Sequence, residues 1–359
     1  MTEKFQANGM ATMIGSLPLR DHAEAIGLVL RYTPEIPFWA QLTCYQEEGM
    51  LVQFSRGLPG IGRDNGSILV NTESANFAEE LLQFFEEYLG VIDGQIEPET
   101  SRFILTEDTA KGFFCLLERL ASQPAAPIAV KGQITGPFTL GTGIVDQNKR
   151  AIFYDDQLRD AVVKLLALKA RWQVRRLSRY ARSVLIFIDE PGLAGFGSSE
   201  FTSISRHDVS QCLEEVCEAV HGEGGLAGIH VCANTDWSLV LESSADIISF
   251  DAYGYFGRFI LYPAQIKKFL ESGKILAWGI VPTLNAHQIE QETGGSLFEK
   301  WREKAKQLEA LGTDMPKLVS QSLITPSCGV GSLDLSSAEK VLKLTREVSR
   351  QVRNLKSND

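Results

Sequence analysis

The feature that most constrains this chain is an alternation of β-rich segments with amphipathic helical patterns. Eight β-rich segments end in a polar or a Gly/Pro cluster, at residues 11–17, 36–42, 128–135, 184–190, 226–232, 247–252, 275–281 and 322–328. Several of them are continuous apolar runs, which are typical of parallel strands covered on both faces. Helical patterns lie between them, at residues 76–89, 156–181, 206–221, 264–272, 296–311 and 336–354.

Eight strand–helix cycles predict an α/β fold. They favour a closed (β/α)8 TIM barrel over an open doubly wound sheet, which would have fewer strands. The stretch 43–127 is too long for a simple loop. We therefore expect an inserted segment after strand 2, with a hairpin or strand pair near 66–72 and 93–106 and extra helices. No linker is visible, so we expect residues 1–359 to form a single barrel domain.

Composition and charge exclude several classes of protein. The chain has 359 residues, 44% of them hydrophobic and 22% charged, which is ordinary globular composition. Its net charge of −10 argues against a nucleic-acid partner, because such proteins usually carry a basic excess. No apolar run reaches the roughly 18 residues that span a bilayer, and the N-terminus lacks an apolar secretion signal. We expect a cytoplasmic protein without a membrane partner.

Titratable and metal-ligating side chains are concentrated where the predicted strands end. In a barrel enzyme the site is built from loops at the carboxyl ends of the strands. The residues at these ends are Ile14-Gly15-Ser16, Asp189, His230, Cys232, Asp251 and Cys328. A purely structural barrel has no need to gather such side chains at one mouth.

Four of these residues predict a zinc site. His230 and Cys232 are two residues apart, so on a strand their side chains point the same way. Cys328 supplies a second sulfur from another strand end, and Asp251 could add a carboxylate. Imidazole nitrogen and thiolate sulfur are preferred zinc ligands, and a displaceable fourth group is typical of a catalytic site.

Ordinary structural roles remain open for the same residues. A buried Cys is often a small apolar side chain, and His230 could be a satisfied core residue. Asp189 could cap the turn that follows its strand, and Ile14-Gly15-Ser16 could be a plain strand-end turn.

The predicted zinc site favours thiol chemistry. A zinc ion with two thiolate ligands activates water poorly but deprotonates a coordinating thiol, and the thiolate is the nucleophile. Asp189 could bind the ammonium group of an amino acid, and Ser16 its carboxylate. The fitting reaction is alkyl transfer onto the sulfur of an amino-acid thiol.

The same residues carry a family resemblance. The chain resembles the catalytic C-terminal half of cobalamin-independent methionine synthases, in the superfamily that includes uroporphyrinogen decarboxylase. The matching segments are MIGSLP at 13–18, ITGPFTL at 134–140, FIDEPGL at 187–193, GIHVCAN at 228–234, IISFDAY at 247–253 and ITPSCGVG at 324–331. The resemblance implies a barrel, a Zn²⁺ ion and methyl transfer to homocysteine. It implies His230, Cys232, Asp251 and Cys328 as metal ligands, and Ile14, Gly15, Ser16 and Asp189 as homocysteine-binding residues.

The chain departs from that family at informative positions. The family's acidic zinc ligand is Glu, where this chain has Asp251. The family's catalytic His belongs to the loop after strand 7, which here reads Ile-Val-Pro-Thr-Leu at 280–284, and His287 lies beyond it. The Trp of folate-using members is missing after Gly136-Pro137. Since a methyl-folate must have its leaving nitrogen protonated, we expect a methyl-corrinoid protein as donor, and otherwise methyltetrahydrofolate.

Three rival functions follow from the same residues. The first is zinc-dependent methyl transfer to another thiol, such as coenzyme M. The second is a porphyrinogen decarboxylase, which the pair of cysteines argues against because that reaction needs no metal. The third is a non-catalytic zinc-binding barrel that docks on a corrinoid protein.

Overall fold

Six parallel strands form the main sheet of the computed structural model, which describes residues 5–64, 66–198, 201 and 203–355. The strands of the described residues are, in chain order, β1 (Ser16–Leu17), β2 (Gln41–Leu42), β3 (Ile61–Asp64), β4 (Ser67–Val70), β5 (Ala129–Thr135), β6 (Val145–Asp146), β7 (Ser183–Asp189), β8 (Leu226–Val231), β9 (Ile247–Phe250), β10 (Ile275–Val281) and β11 (Ser322–Pro326). The order across the main sheet is β11-β10-β9-β8-β7-β5. Its strands are buried almost throughout, because their apolar runs place side chains on both faces. The predicted α/β class with parallel strands is confirmed.

The first two predicted strands are far less regular than the other six. Within residues 11–17 and 36–42, all of which the structure describes, the one ladder is the short pairing of β1 with β2. Single parallel bridges join Ala11 to Ile324 and Phe38 to Lys131. A full ring of eight regular strands is therefore not established. Side chains explain the interruption, since they take carbonyls that a ladder would use: Thr12 Oγ1 donates to the Ile36 carbonyl at 3.1 Å.

Helices cover the outside of the sheet. The described helices are α1 (His22–Tyr32), α2 (Met50–Ser55), α3 (Phe77–Ile92), α4 (Glu107–Ala121), α5 (Pro137–Gly143), α6 (Asp156–Leu177), α7 (Arg206–His221), α8 (Trp237–Leu241), α9 (Phe256–Phe259), α10 (Pro263–Glu271), α11 (Ala286–Gln291), α12 (Gly294–Glu309), α13 (Met315–Ser320) and α14 (Leu335–Asn354). All six predicted helices are confirmed to within a few residues at each end. Each buries its apolar stripe against the sheet or a neighbouring helix.

The segment between β2 and β5 contains a hairpin and helices, as expected, but one of its predicted strands is wrong. β4 pairs antiparallel with β3, which precedes it, and parallel with β6. The described residues 93–106 hold a short 3-10 turn, Pro98–Thr100, and no strand. The hairpin is favoured because Asp64 pairs with Ser67 across a very short connection. A partner within 93–106 would require a longer loop, whose closure costs more conformational entropy.

A second apolar cluster lies on the inner side of the sheet. It combines residues from the chain start, the second predicted strand and five strands of the main sheet: Ala7, Met10, Ile36, Ala129, Leu185, Phe187, Ile247, Ile275, Ala277 and Leu323. These positions belong mostly to the amino-terminal halves of their strands, so they close that end of the interior. The polar residues are left at the carboxyl ends. No helix in the described residues is long and apolar enough to cross a membrane.

Candidate metal centre

One histidine and two cysteines meet at the carboxyl ends of β8 and β11. His230 lies near the end of β8, Cys232 follows β8 directly, and Cys328 follows β11. Their potential ligand atoms all lie within 4.8 Å of one another. Since β8 and β11 are three strand positions apart, about 14 Å in a flat sheet, only a curved sheet allows this meeting.

The orientation of His230 is set by a neighbouring strand. Its Nδ1 lies 2.9 Å from the hydroxyl of Ser249, on β9. Its Nε2 is buried and has no hydrogen-bond partner among the described residues. A buried ring nitrogen without a partner is costly unless a ligand satisfies it. The imidazole therefore fits a metal ion at Nε2.

The two sulfurs form a coupled pair. The contact with the Cys328 thiol lowers the pKa of Cys232, against the effect of burial. The same contact, together with burial, raises the pKa of Cys328, while the neighbouring His230 opposes that rise. The contact thus favours the thiolate form of Cys232 over that of Cys328. Two thiols and an imidazole are a donor set that suits zinc.

Asp251, predicted as the fourth ligand, is not part of this three-residue group. Its side chain is buried, and its Oδ1 accepts a hydrogen bond from the Gly254 backbone N–H at 2.7 Å. Burial raises its pKa, and hydrogen bonds from the Gly254 and Tyr253 backbone, then the charge of His230, oppose the rise. The short side chain is captured by the turn that follows β9, as Asp often is.

Asp189 ends β7 directly beside the metal group. It pairs in register with His230, and its Oδ1 is buried without a hydrogen-bond partner in the part of the chain that the structure describes. Burial raises the pKa of Asp189, while the nearby His230 and Lys131 oppose the rise. An unsatisfied buried carboxylate oxygen next to the site suits an incoming cation such as an ammonium group.

The Ile14–Ser16 segment lies against the turn that carries Cys328. Ser16 Oγ accepts a hydrogen bond from the Gly331 N–H at 3.1 Å, so the hydroxyl already has a partner. A Cβ on Gly329 would lie 2.2 Å from the same oxygen, which explains the glycine next to Cys328. The carbonyl of Gly15 accepts from the Gln41 N–H at 3.1 Å. The segment is thus tied both to the Cys328 turn and to β2.

Sequence reasoning did not assign roles to three buried polar residues at the site. Ser249 lies on β9, two positions before Asp251, which follows the strand, so strand alternation continued by one residue points both inward and could have identified Ser249. Lys131 is wholly buried on β5. Glu190 accepts hydrogen bonds from the backbone N–H groups of Phe138 and Thr139 at 3.0 and 2.8 Å. Burial raises the pKa of Glu190 to about 7, and these bonds oppose the rise.

Fold and site together define an α/β protein with a curved parallel sheet and a candidate metal centre of one imidazole and two thiols. No protein-family model matches the chain. No curated protein matches it either. Among solved structures, a B12-independent methionine synthase from a Shewanella species, in complex with selenomethionine, is similar at 17% identity and a TM-score of 0.48, over 69% of this chain and 67% of that one. Values this low establish neither a family nor an activity.

Proposed function

We propose that this protein is a zinc-dependent methyltransferase that moves a methyl group onto the thiol of homocysteine to give methionine. The observation that carries the proposal is the meeting of His230, Cys232 and Cys328 within 4.8 Å of one another. Their residue types favour zinc, and their place at strand carboxyl ends is where barrel enzymes build their sites. A zinc ion held there would stabilise an incoming thiol as its thiolate.

The protein's own residues would prepare this site. Ser249 would keep the His230 ring in place, with the proton on Nδ1 and Nε2 free to coordinate. We propose Asp251 as the acidic member of the site. Its charge acts on both His230 and Cys232, and ligation would require its carboxylate to leave the Gly254 N–H.

Asp189 favours an amino acid as the acceptor. Its free Oδ1 would bind the acceptor's ammonium group, and Ile14, Gly15 and Ser16 would contact the carboxylate end. Two-point binding would orient the acceptor sulfur toward the metal group, which is a large part of catalysis by proximity. Coenzyme M has no ammonium group, so the unsatisfied carboxylate is an observation in favour of homocysteine.

The loop after β10 favours a methyl-corrinoid protein as donor. Residues 282–286 contain no titratable side chain, and Thr283 is engaged with Ser327 through their hydroxyls at 2.9 Å. His287 is exposed, and its ring contacts Gln291 on the same helix. A methyl-corrinoid suits such a loop, because its leaving group needs no proton from an acid. Methyltetrahydrofolate is the second candidate.

We also propose that the chain closes as one barrel domain. Support comes from the parallel bridges at Ala11 and Phe38, which join residues 11–17 to β11 and residues 36–42 to β5. The inner apolar cluster also supports closure, because its residues come from six of the eight predicted strands.

Metal analysis tests the ligand set. Wild-type protein should hold about one zinc per chain, and both Cys232→Ser and Cys328→Ser should hold far less, because each removes one of three ligands. Cys115→Ser is a matched control, since Cys115 is also half-buried but lies on α4, outside the group. Stoichiometric zinc in both site variants would contradict the proposal.

Turnover assays test the acceptor and the donor separately. Zinc-loaded protein should methylate homocysteine, and Asp189→Ala should reduce this activity strongly while sparing any activity on coenzyme M. Methyl-corrinoid protein and methyltetrahydrofolate are supplied in separate reactions. Efficient turnover with folate alone would refute the donor assignment, and zinc binding without any turnover would favour the non-catalytic barrel.

A further inference from the structure

A lysine is buried on β5, four residues before the carboxyl end of that strand. Lys131 on β5 is fully buried. Its Nζ donates to the Ile14 carbonyl at 2.5 Å and to Gln133 Oε1 at 3.1 Å. The ammonium group also lies 4.6 Å from the centre of the Phe187 ring. Such a site replaces only part of the hydration that the charge loses on burial.

The charge of Lys131 acts on Asp189. Burial lowers the pKa of Lys131 to about 8, and the Asp189 carboxylate opposes that shift. In return, Lys131 opposes the rise that burial causes in the pKa of Asp189, as the neighbouring His230 also does. Lysine and aspartate lie on adjacent strands, β5 and β7, and face the same interior. In the register Lys131 lies opposite Leu185 and Asp189 lies opposite Thr135, so the two charges interact at a distance along the same face and not through a direct bond.

The hydrogen bonds of Lys131 also hold the Ile14–Ser16 segment. Its bond to the Ile14 carbonyl adds to the backbone bond that the neighbouring Gly15 carbonyl accepts from the Gln41 N–H. Gln133, which it also contacts, donates to the Trp39 carbonyl at 2.9 Å. There is no spare room beside them, because a Cβ on Gly15 would lie 3.2 Å from Gln133 Nε2. The ammonium group thus joins the third predicted strand to the first, and the Gln133 amide joins the third to the second.

We propose that Lys131 is the positioning residue for the amino-acid end of the acceptor. It holds the Ile14–Ser16 backbone in place and balances the charge of Asp189, so both sides of the acceptor-binding site depend on it. The inference rests on the proposed function, because that function assigns Asp189 and Ile14–Ser16 to the acceptor. Lys131 contacts none of the three metal-binding candidates, and its removal should leave the binding of a thiol sulfur unchanged.

Calorimetric titration of zinc-loaded protein tests this separation. The two ligands are L-homocysteine and 1-propanethiol, which has the thiol but neither the ammonium nor the carboxylate group. Lys131→Met should weaken homocysteine binding about tenfold or more, as expected for the loss of charge-assisted contacts, and leave propanethiol binding within about twofold. Zinc content should stay at the wild-type level.

Lys169→Met is the matched control. Lys169, on α6, is also fully buried, with its Nζ bonded to the backbone carbonyls of Phe54 and Arg56 at 3.1 and 2.7 Å. Its ammonium group therefore lies at the carboxyl end of α2, which carries none of the proposed metal- or acceptor-binding residues. This variant removes a buried ammonium group too, so it should lower thermal stability without changing the ratio of the two thiol affinities.

The outcomes separate this inference from the proposed function. Equal weakening of both thiols in Lys131→Met, or weakening of neither, would overturn the inference alone. A wild-type protein that binds propanethiol but not homocysteine would refute both. If Lys131→Met does not fold, the double variant Lys131→Met/Asp189→Asn is used instead, because it removes the ammonium and the carboxylate charge together. The double variant should bind homocysteine several-fold more weakly than Asp189→Asn, because the Ile14 carbonyl has lost its hydrogen bond from Lys131. Equal affinities of these two variants would overturn the inference.

Discussion

Replacing Ser249 with alanine should weaken zinc binding without removing any ligand. The Ser249 hydroxyl lies 2.9 Å from His230 Nδ1. When Nε2 binds a metal, the proton must reside on Nδ1, where the hydroxyl accepts it and fixes the ring plane. Loss of such a partner typically reduces metal affinity ten- to hundredfold, about 1.4–2.7 kcal/mol.

The metal-free protein supplies the reference for this effect. Ser249→Ala leaves Nδ1 buried without a partner, which should lower the free energy of unfolding by about 1 kcal/mol. Ser243→Ala is a matched control, because Ser243 is also buried and its hydroxyl donates to the Val240 carbonyl at 2.7 Å. The two variants should therefore lose similar stability in urea but differ in zinc affinity.

Competition with a chromophoric chelator measures the zinc dissociation constant of the three proteins. Wild type and Ser243→Ala should agree within a factor of about three, and Ser249→Ala should bind zinc at least about tenfold more weakly. If Ser249→Ala binds zinc as tightly as wild type, then Ser249 does not orient His230 for coordination of zinc through Nε2.

Three further measurements address stability and the Cys328 turn. The Asp246 carboxylate, 2.7 Å from His221 Nε2, raises the pKa of His221, so its stabilisation should be complete below about pH 6.5 and decline as pH rises through the folded-state pKa. The difference in unfolding free energy between wild type and His221→Gln should shrink accordingly in urea titrations at increasing pH, and a constant difference would contradict this. Gly329→Ala should weaken zinc binding, because its Cβ would lie 2.2 Å from Ser16 Oγ, and adding Ser16→Gly should restore the affinity if that clash is the cause. Excess chelator should lower the melting temperature of zinc-loaded wild type but not of Cys328→Ser, and equal shifts would argue against zinc at this site.

Much of the fold could be predicted because its signals are local. Continuous apolar runs identified the six strands of the main sheet, and 3.6-residue periodicity identified the long helices. The strand predicted within 93–106 was wrong because pairing is a tertiary property, and the hairpin partner of β4 lay nearer in the chain. The irregularity of the first two strands could not be predicted, because it depends on side chains such as Thr12 that bond to carbonyls of the neighbouring strand.

The candidate site could be predicted in part. His230 and Cys232 stand out because strand alternation places them on one face. Nothing local shows that the Asp251 carboxylate bonds to Gly254, since this depends on the path of the turn after β9. Nor does any motif single out Lys131, whose partner carbonyl at Ile14 is 117 residues distant in the chain.

The sequence by itself determined the order of strands and helices and the residue types at the strand ends, because backbone preference and apolar periodicity act over a few neighbouring residues. Only the tertiary structure decided which of those ends meet. Cys328 reaches His230 because the sheet curves across the two intervening strands, and curvature sums small twists over many residues that no short segment encodes.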